Sequence, residues 1–152
     1  HLDGVPVWFK LKGLAGKFAS YGACPLTHVY TTSFTTFCGL DAFRPLDSTA
    51  ECLLMTYTNR GIRQRIDILV EQVEKYHLNG LAMQISRTCK ALATGVYDLM
   101  EGVEKRTGIP GVVFETDMCD PRLHSEAQVD ASLETFFEML AARYPDHPES
   151  TR

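Results

Sequence analysis

The chain has 152 residues, a net charge of −4, and 45% hydrophobic against 22% charged residues, the balance of one soluble globular domain with a sizeable core. Lys and Arg are dispersed and no apolar run reaches membrane-spanning length. That argues against a nucleic-acid-binding face and against a membrane helix. In chain order, the segment from Pro6 becomes a helix with Leu11, Leu14, Ala15 and Phe18 on one face, closed by Tyr21-Gly22. Thr27–Thr32 is β-branched and aromatic and predicts a strand. Ser33–Pro45 reads as a loop. Ser48-Thr49-Ala50-Glu51 has capping-box form and predicts a helix start. After an interruption at Thr58–Gly61, Ile62 to about His77 keeps helical apolar spacing until Asn79-Gly80.

Leu81–Ile85 is mostly apolar and predicts a buried strand. A helix from about Thr94 to Arg106 follows, ended by Thr107-Gly108-Ile109-Pro110. Gly111–Glu115 is a third clear strand, and Thr116–Arg122 is a polar turn. Ser125-Glu126-Ala127-Gln128 is a second capping box before a helix with Val129, Leu133, Phe136, Phe137, Leu140 and Tyr144 as its stripe. Gly4-Val5 reads as the end of one more strand. The alternation predicts an α/β fold: an open doubly wound, flavodoxin-like parallel sheet of about four strands with helices on both faces. Residues 1–145 form that domain and 146–152 a polar tail. The opening His1-Leu2-Asp3 lacks Met and a signal-peptide pattern and starts abruptly, as a fragment or processed chain does.

The five cysteines, Cys24, Cys38, Cys52, Cys89 and Cys119, are odd in number and well separated. This favours reduced thiols in the cytoplasm over a disulfide framework. In open α/β sheets ligands bind beyond the carboxyl ends of the strands. Loops 32–47, 86–93 and 116–124 are expected there, each with a cysteine. Cys89 stands between Arg87 and Lys90, just before a helix start, where positive charge and free amides favour a thiolate. A thiolate is either a nucleophile or a metal ligand, and from the residues alone Cys89 is as readily inert as functional. Thr31 and Ser33 are candidates to point hydroxyls into a cleft, or simply to serve β-propensity. Asp117, Asp120 and Arg122 fit an acid–base cluster less well than a turn built on Asp-Pro. No P-loop, Gly-x-Gly-x-x-Gly or Gly-x-Ser-x-Gly motif occurs.

Four stretches, in order over nearly the whole chain, carry a family likeness. They are Asp3-Gly4-Val5-Pro6-Val7-Trp8; Tyr21-Gly22-Ala23 with Val29-Tyr30-Thr31-Thr32-Ser33-Phe34; Arg87-Thr88-Cys89-Lys90; and Gly108-Ile109-Pro110 with Glu115 to Arg122 and Ser125 to Gln128. Together they resemble the C-terminal domain of a 2-hydroxyacyl-CoA dehydratase subunit, in the superfamily shared with benzoyl-CoA reductase. The third stretch is similar to the family's Asn-Arg-Ser-Cys-Lys turn, with Ser86 for Asn and Thr88 for Ser. Ala91-Leu92-Ala93 stands where the family has Pro-x-Ser.

The resemblance implies a four-iron four-sulfur (4Fe-4S) cluster held by three cysteines, of which only Cys89 maps onto this chain. It implies an acyl-CoA substrate, a related second subunit and an ATP-dependent iron–sulfur activator that delivers one electron. In the dehydratases the electron forms a ketyl radical that lets a hydroxyl leave; in the reductases it attacks an aromatic ring. Arg87 and Lys90 would then offset the cluster's charge or face the substrate, and Thr31 and Ser33 would line the acyl-CoA cleft. The alternative is a non-catalytic assembly domain that docks the partner subunit or the activator.

Overall fold

A computed structural model describes residues 1–33 and 39–145. Its centre is a parallel sheet of three short strands, β1 (Leu2–Asp3), β2 (Leu81–Ser86) and β3 (Gly111–Thr116), in the order β1-β2-β3. The expected count of about four was too high among the described residues. Leu2–Asp3 is the strand expected at Gly4-Val5. At Gly4 the chain has already left the sheet with φ +117°, and a Cβ there would lie 2.6 Å from Gln84 Cβ. Among the described residues the strand order runs without the reversal that defines a doubly wound sheet.

Between β1 and β2 lie α1 (Leu11–Ser20), α2 (Val29–Ser33), α3 (Pro45–Leu54) and α4 (Ile62–Tyr76). Then come α5 (Lys90–Ala93) and α6 (Val96–Thr107), and α7 (Glu126–Arg143) follows β3. Helices cover both faces of the sheet. Leu81 and Met83 pack with Leu69, Val70 and Val73 of α4 and Leu99 and Val103 of α6. Ala82 and Phe114 point the other way, onto Phe18 of α1 and Leu133, Phe136 and Phe137 of α7. This period-two division of one strand between two cores explains why β2 reads as mostly apolar rather than alternating.

Three local expectations fail. Thr27–Thr32 is not a strand: Val29–Ser33 is one short helix. His28 Nδ1 accepts the Tyr30 amide at 3.1 Å and the Ser33 hydroxyl donates to the Val29 carbonyl at 2.8 Å. These bonds, with Val29 fully buried, override β-propensity. The loop expected over 32–47 therefore comes after a helix in the chain, not after a strand, and its described part ends at Arg44, before α3; Cys38 lies outside the described residues. The third helix begins at Pro45, preset for a first helical position. Ser48 lies inside it, its hydroxyl accepting the Asp41 amide at 3.0 Å. At α7, Ser125 occupies the cap position without a side-chain cap bond. Residues 146–152, the expected tail, also lie outside the described residues.

α4 ends at Tyr76, with His77 in the left-handed region (φ 51°) that glycine usually fills. At its start Gln64 accepts the Gly61 amide at 3.3 Å. α3 buries Ser48 and Cys52 but leaves apolar side chains outside: Leu46, Leu53 and Leu54, with Phe43 just before the helix, are exposed, Phe43 almost completely at 96%. No described helix is long and apolar enough to cross a membrane.

Candidate functional site at the carboxyl edge of the sheet

In-register pairing of Ser86 with Thr116 ends β2 and β3 level with each other. The two turns that follow, 87–89 and 117–120, therefore leave the sheet side by side. Cys89 is the residue before α5, half-buried, its amide donating to the Ser86 carbonyl at 3.0 Å and its carbonyl accepting the Ala93 amide at 3.0 Å. The side chain packs against the core of α4 and α6. Cys89 thus stands at the strand edge the sequence indicated, and Cys119 is exposed on the neighbouring turn.

The flanking cations differ. Arg87 Nε and Nη2 both donate to Glu115 Oε2, at 3.0 and 2.6 Å, so its charge is answered locally. Lys90 is exposed and makes no ion pair among the described residues. Thr31 is exposed on α2. Ser33 is buried, and its donor is committed to the Val29 carbonyl. The edge thus gathers Arg87, Cys89 and Lys90 on one turn. Thr31 and Ser33 sit on a separate helix that packs against the Tyr57–Asn59 turn.

Two braces hold this edge. The first is Asp117, which is 1% exposed. Its Oδ2 accepts the Thr88 hydroxyl at 2.6 Å, the Thr88 amide at 3.3 Å and the Ser86 hydroxyl at 3.4 Å. Its Oδ1 accepts the Cys119 and Asp120 amides, each at 3.0 Å. The Thr88 hydroxyl above all, then the two turn amides, hold this carboxyl well below the usual carboxylate range against the opposing pull of burial. Asp120 does what Asp-Pro turns do: it caps Pro121–Leu123 through the Arg122 amide and pairs with the Arg122 side chain at 2.6 Å. Asp117, Asp120 and Arg122 therefore build a double turn, as the Asp-Pro sequence suggested.

The second brace is Arg65, buried on α4. It donates to the carbonyls of Thr58 (2.7 Å), Arg60 (3.0 Å) and Ala91 (3.1 Å) and lies 5.2 Å from the Tyr57 ring. The Tyr57 hydroxyl donates to Asp3 Oδ2 at 3.3 Å. Burial pushes the Asp3 carboxyl up to about 6, against the Gly4 amide, the Tyr57 hydroxyl and the Arg65 charge, all of which favour its ion. One signal for Arg65 was present: it lies four residues before Leu69 and eight before Val73, on the buried stripe of α4.

A four-iron four-sulfur cluster usually needs three or four thiolates. Among the described residues no three His, Cys, Asp or Glu side chains gather as a metal site. Cys89, a soft thiol at a half-buried strand edge, fits as one ligand. The described residues do not offer a full set.

A parallel sheet with helices on both faces and a cysteine turn at its carboxyl edge marks an α/β domain of the kind that holds a ligand beyond its strand ends. The chain belongs to the family described as 2-hydroxyglutaryl-CoA dehydratase, D-component, whose pattern matches residues 1–140. It is 33% identical over 146 residues to a benzoyl-CoA reductase subunit of Thauera aromatica, covering 91% of this chain and 33% of that protein. It is 26% identical over 141 residues to the (R)-phenyllactyl-CoA dehydratase alpha subunit of Clostridium sporogenes, covering 93% of this chain and 33% of that one. The lactoyl-CoA dehydratase subunit alpha of Anaerotignum propionicum is 28% identical over 97 residues, 64% of this chain and 23% of that protein. The chain thus spans at most about a third of the length of these relatives. The dehydratase and reductase likeness in the motifs is borne out.

Proposed function

We propose that this chain is the part of a 2-hydroxyacyl-CoA dehydratase or benzoyl-CoA reductase type enzyme that contributes one thiolate, Cys89, to an iron–sulfur cluster. The observation that carries the reading is the placement of Cys89 half-buried at the carboxyl edge of β2, on the turn that resembles the family's Asn-Arg-Ser-Cys-Lys. When bound, a 4Fe-4S cluster supplies one-electron chemistry on an acyl-CoA, and the remaining ligands come from outside the described residues. Here Cys89 binds iron and the β2–α5 turn fixes its approach. Lys90, without an ion pair among the described residues, sets a positive charge toward an anionic cluster or CoA phosphate. Arg87 stays held by Glu115 until a stronger anion competes for it. The exposed Thr31 hydroxyl, and the acceptor lone pairs of Ser33, are weaker candidates for the acyl-CoA cleft.

The relatives' names as subunits support a multi-subunit assembly; the family resemblance adds a related second subunit as partner and an ATP-dependent activator delivering the electron in the cytoplasm. A full doubly wound, flavodoxin-like sheet would need strands beyond the three described. Anaerobic reconstitution of the full-length protein with and without Cys89→Ala tests the assignment. The variant is expected to bind less iron and to lose activity; equal iron and activity in both would sink it.

A second reading is favoured by α3 and the residue leading into it. Exposed Phe43, Leu46, Leu53 and Leu54 form an apolar face of the sort that marks a protein contact, and the domain would then serve assembly with the second subunit. Leu46→Glu with Leu54→Glu should abolish co-purification of that subunit while leaving iron content intact. Undiminished co-purification would exclude this reading.

A further inference from the structure

We propose that Asp117 is a positioning residue for Cys89: its carboxylate grips Thr88 and thereby fixes where the neighbouring thiol stands. The inference rests on reading Cys89 as an iron ligand, and it deepens that reading by naming what holds the ligand in place.

Asp117 is almost wholly buried and forms no ion pair among the described residues. A buried carboxylate without a cation persists only if its lone pairs are filled by donors. Five donors fill them, and they divide unequally in purpose. The Cys119 and Asp120 amides belong to the carboxylate's own turn and anchor it to the end of β3. The other three, the Thr88 amide and hydroxyl and the Ser86 hydroxyl, all come from the strand end and turn that carry Cys89. The carboxylate is thus a cross-tie from one strand end to the next.

That turn needs an external tie. α5 has only four residues, far below the length at which a helix holds itself. Within the turn, the Cys89 amide and carbonyl each make a single backbone bond. Thr88 also stands where the family pattern has Ser. Both residues offer a hydroxyl, so the exchange preserves the shortest of the five bonds, at 2.6 Å.

The test uses the full-length protein, stripped of iron, as wild type, Thr88→Val, Thr88→Ser and Asp117→Asn. Alkylation of each cysteine by iodoacetamide is followed by mass spectrometry. Thr88→Val keeps the side-chain shape and deletes the hydroxyl donor. Cys89 should react about tenfold faster in Thr88→Val and in Asp117→Asn, the scale of one charge-assisted hydrogen bond lost from a local closing equilibrium. Thr88→Ser should react as wild type does. Cys52, buried in α3, reports general loosening and should not change. A wild-type rate at Cys89 in Thr88→Val overturns the proposal. So does a Thr88→Ser rate equal to that of Thr88→Val, or an equal rise at Cys52. The iron measurement on Cys89→Ala is separate: it can remove the ligand reading while the alkylation pattern still decides the clamp.

Discussion

Asp3 gives the sharpest quantitative expectation. Its carboxyl lies 6% exposed at the end of β1, with the Gly4 amide at 2.8 Å and the Tyr57 hydroxyl at 3.3 Å. Those donors and the charge of Arg65 favour the ion; burial opposes it more strongly and moves the group from 3.8 to about 6. At 1.36 kcal/mol for each pH unit of displacement, ionising Asp3 in the folded chain costs about 3 kcal/mol. A raised carboxyl favours the folded state fully below its unfolded value and loses that contribution as pH rises through its folded value. Asp3→Asn has no such proton to lose. The stability of Asp3→Asn relative to wild type should therefore climb by about 3 kcal/mol between about pH 3.5 and 7.5, with most of the climb between about pH 4 and 6. Urea denaturation of both proteins across that range reads it, and the difference cancels every group they share. A flat difference, or a wild type that gains on the variant with rising pH, would refute the dominance of burial and put the Gly4 amide, the Tyr57 hydroxyl and the Arg65 charge together ahead of it.

Two further expectations concern the same edge. Gly4→Ala combines a left-handed backbone with a Cβ 2.6 Å from Gln84 Cβ, and should cost about 2 kcal/mol or more, seen as a lower Tm. Arg65→Met leaves the Thr58, Arg60 and Ala91 carbonyls without their donor and should cost about 3 kcal/mol in urea denaturation; a loss under about 1 kcal/mol would mean that water replaces the guanidinium.

Much of the layout was legible because hydrophobic period reports burial directly. β2, β3, α4, α6 and α7 each face a core along most of their length, and their stripes predicted them. Where a segment's state depends on a few particular bonds, propensity misled. Thr27–Thr32 carries every mark of a strand, yet among the described residues it meets β1 only through the Leu2 amide on the Thr27 carbonyl at 3.2 Å, while His28 and Ser33 close a helical turn around buried Val29. Ser48 and Ser125 had capping spacing, but Pro45 had already begun one helix, and the Ser125 side chain makes no cap bond at the other. At the site, Cys89 could be placed because strand ends are readable. The clamp on it could not. Residues 88 and 117 meet only through the register that sets Ser86 against Thr116, and register between strands separated by two helices leaves no mark in either segment alone.

The helix α4 is also a rod. Its 15 residues span about 22 Å. Near one end Arg65 holds the Ala91 carbonyl, two residues past Cys89. Just beyond the other, Leu78, Asn79 and Gly80 form part of the wall of an open groove of about 790 Å³, shared with the ends of α1 and α7. One helix therefore reaches from the groove at the amino edge of the sheet to the cysteine turn at its carboxyl edge.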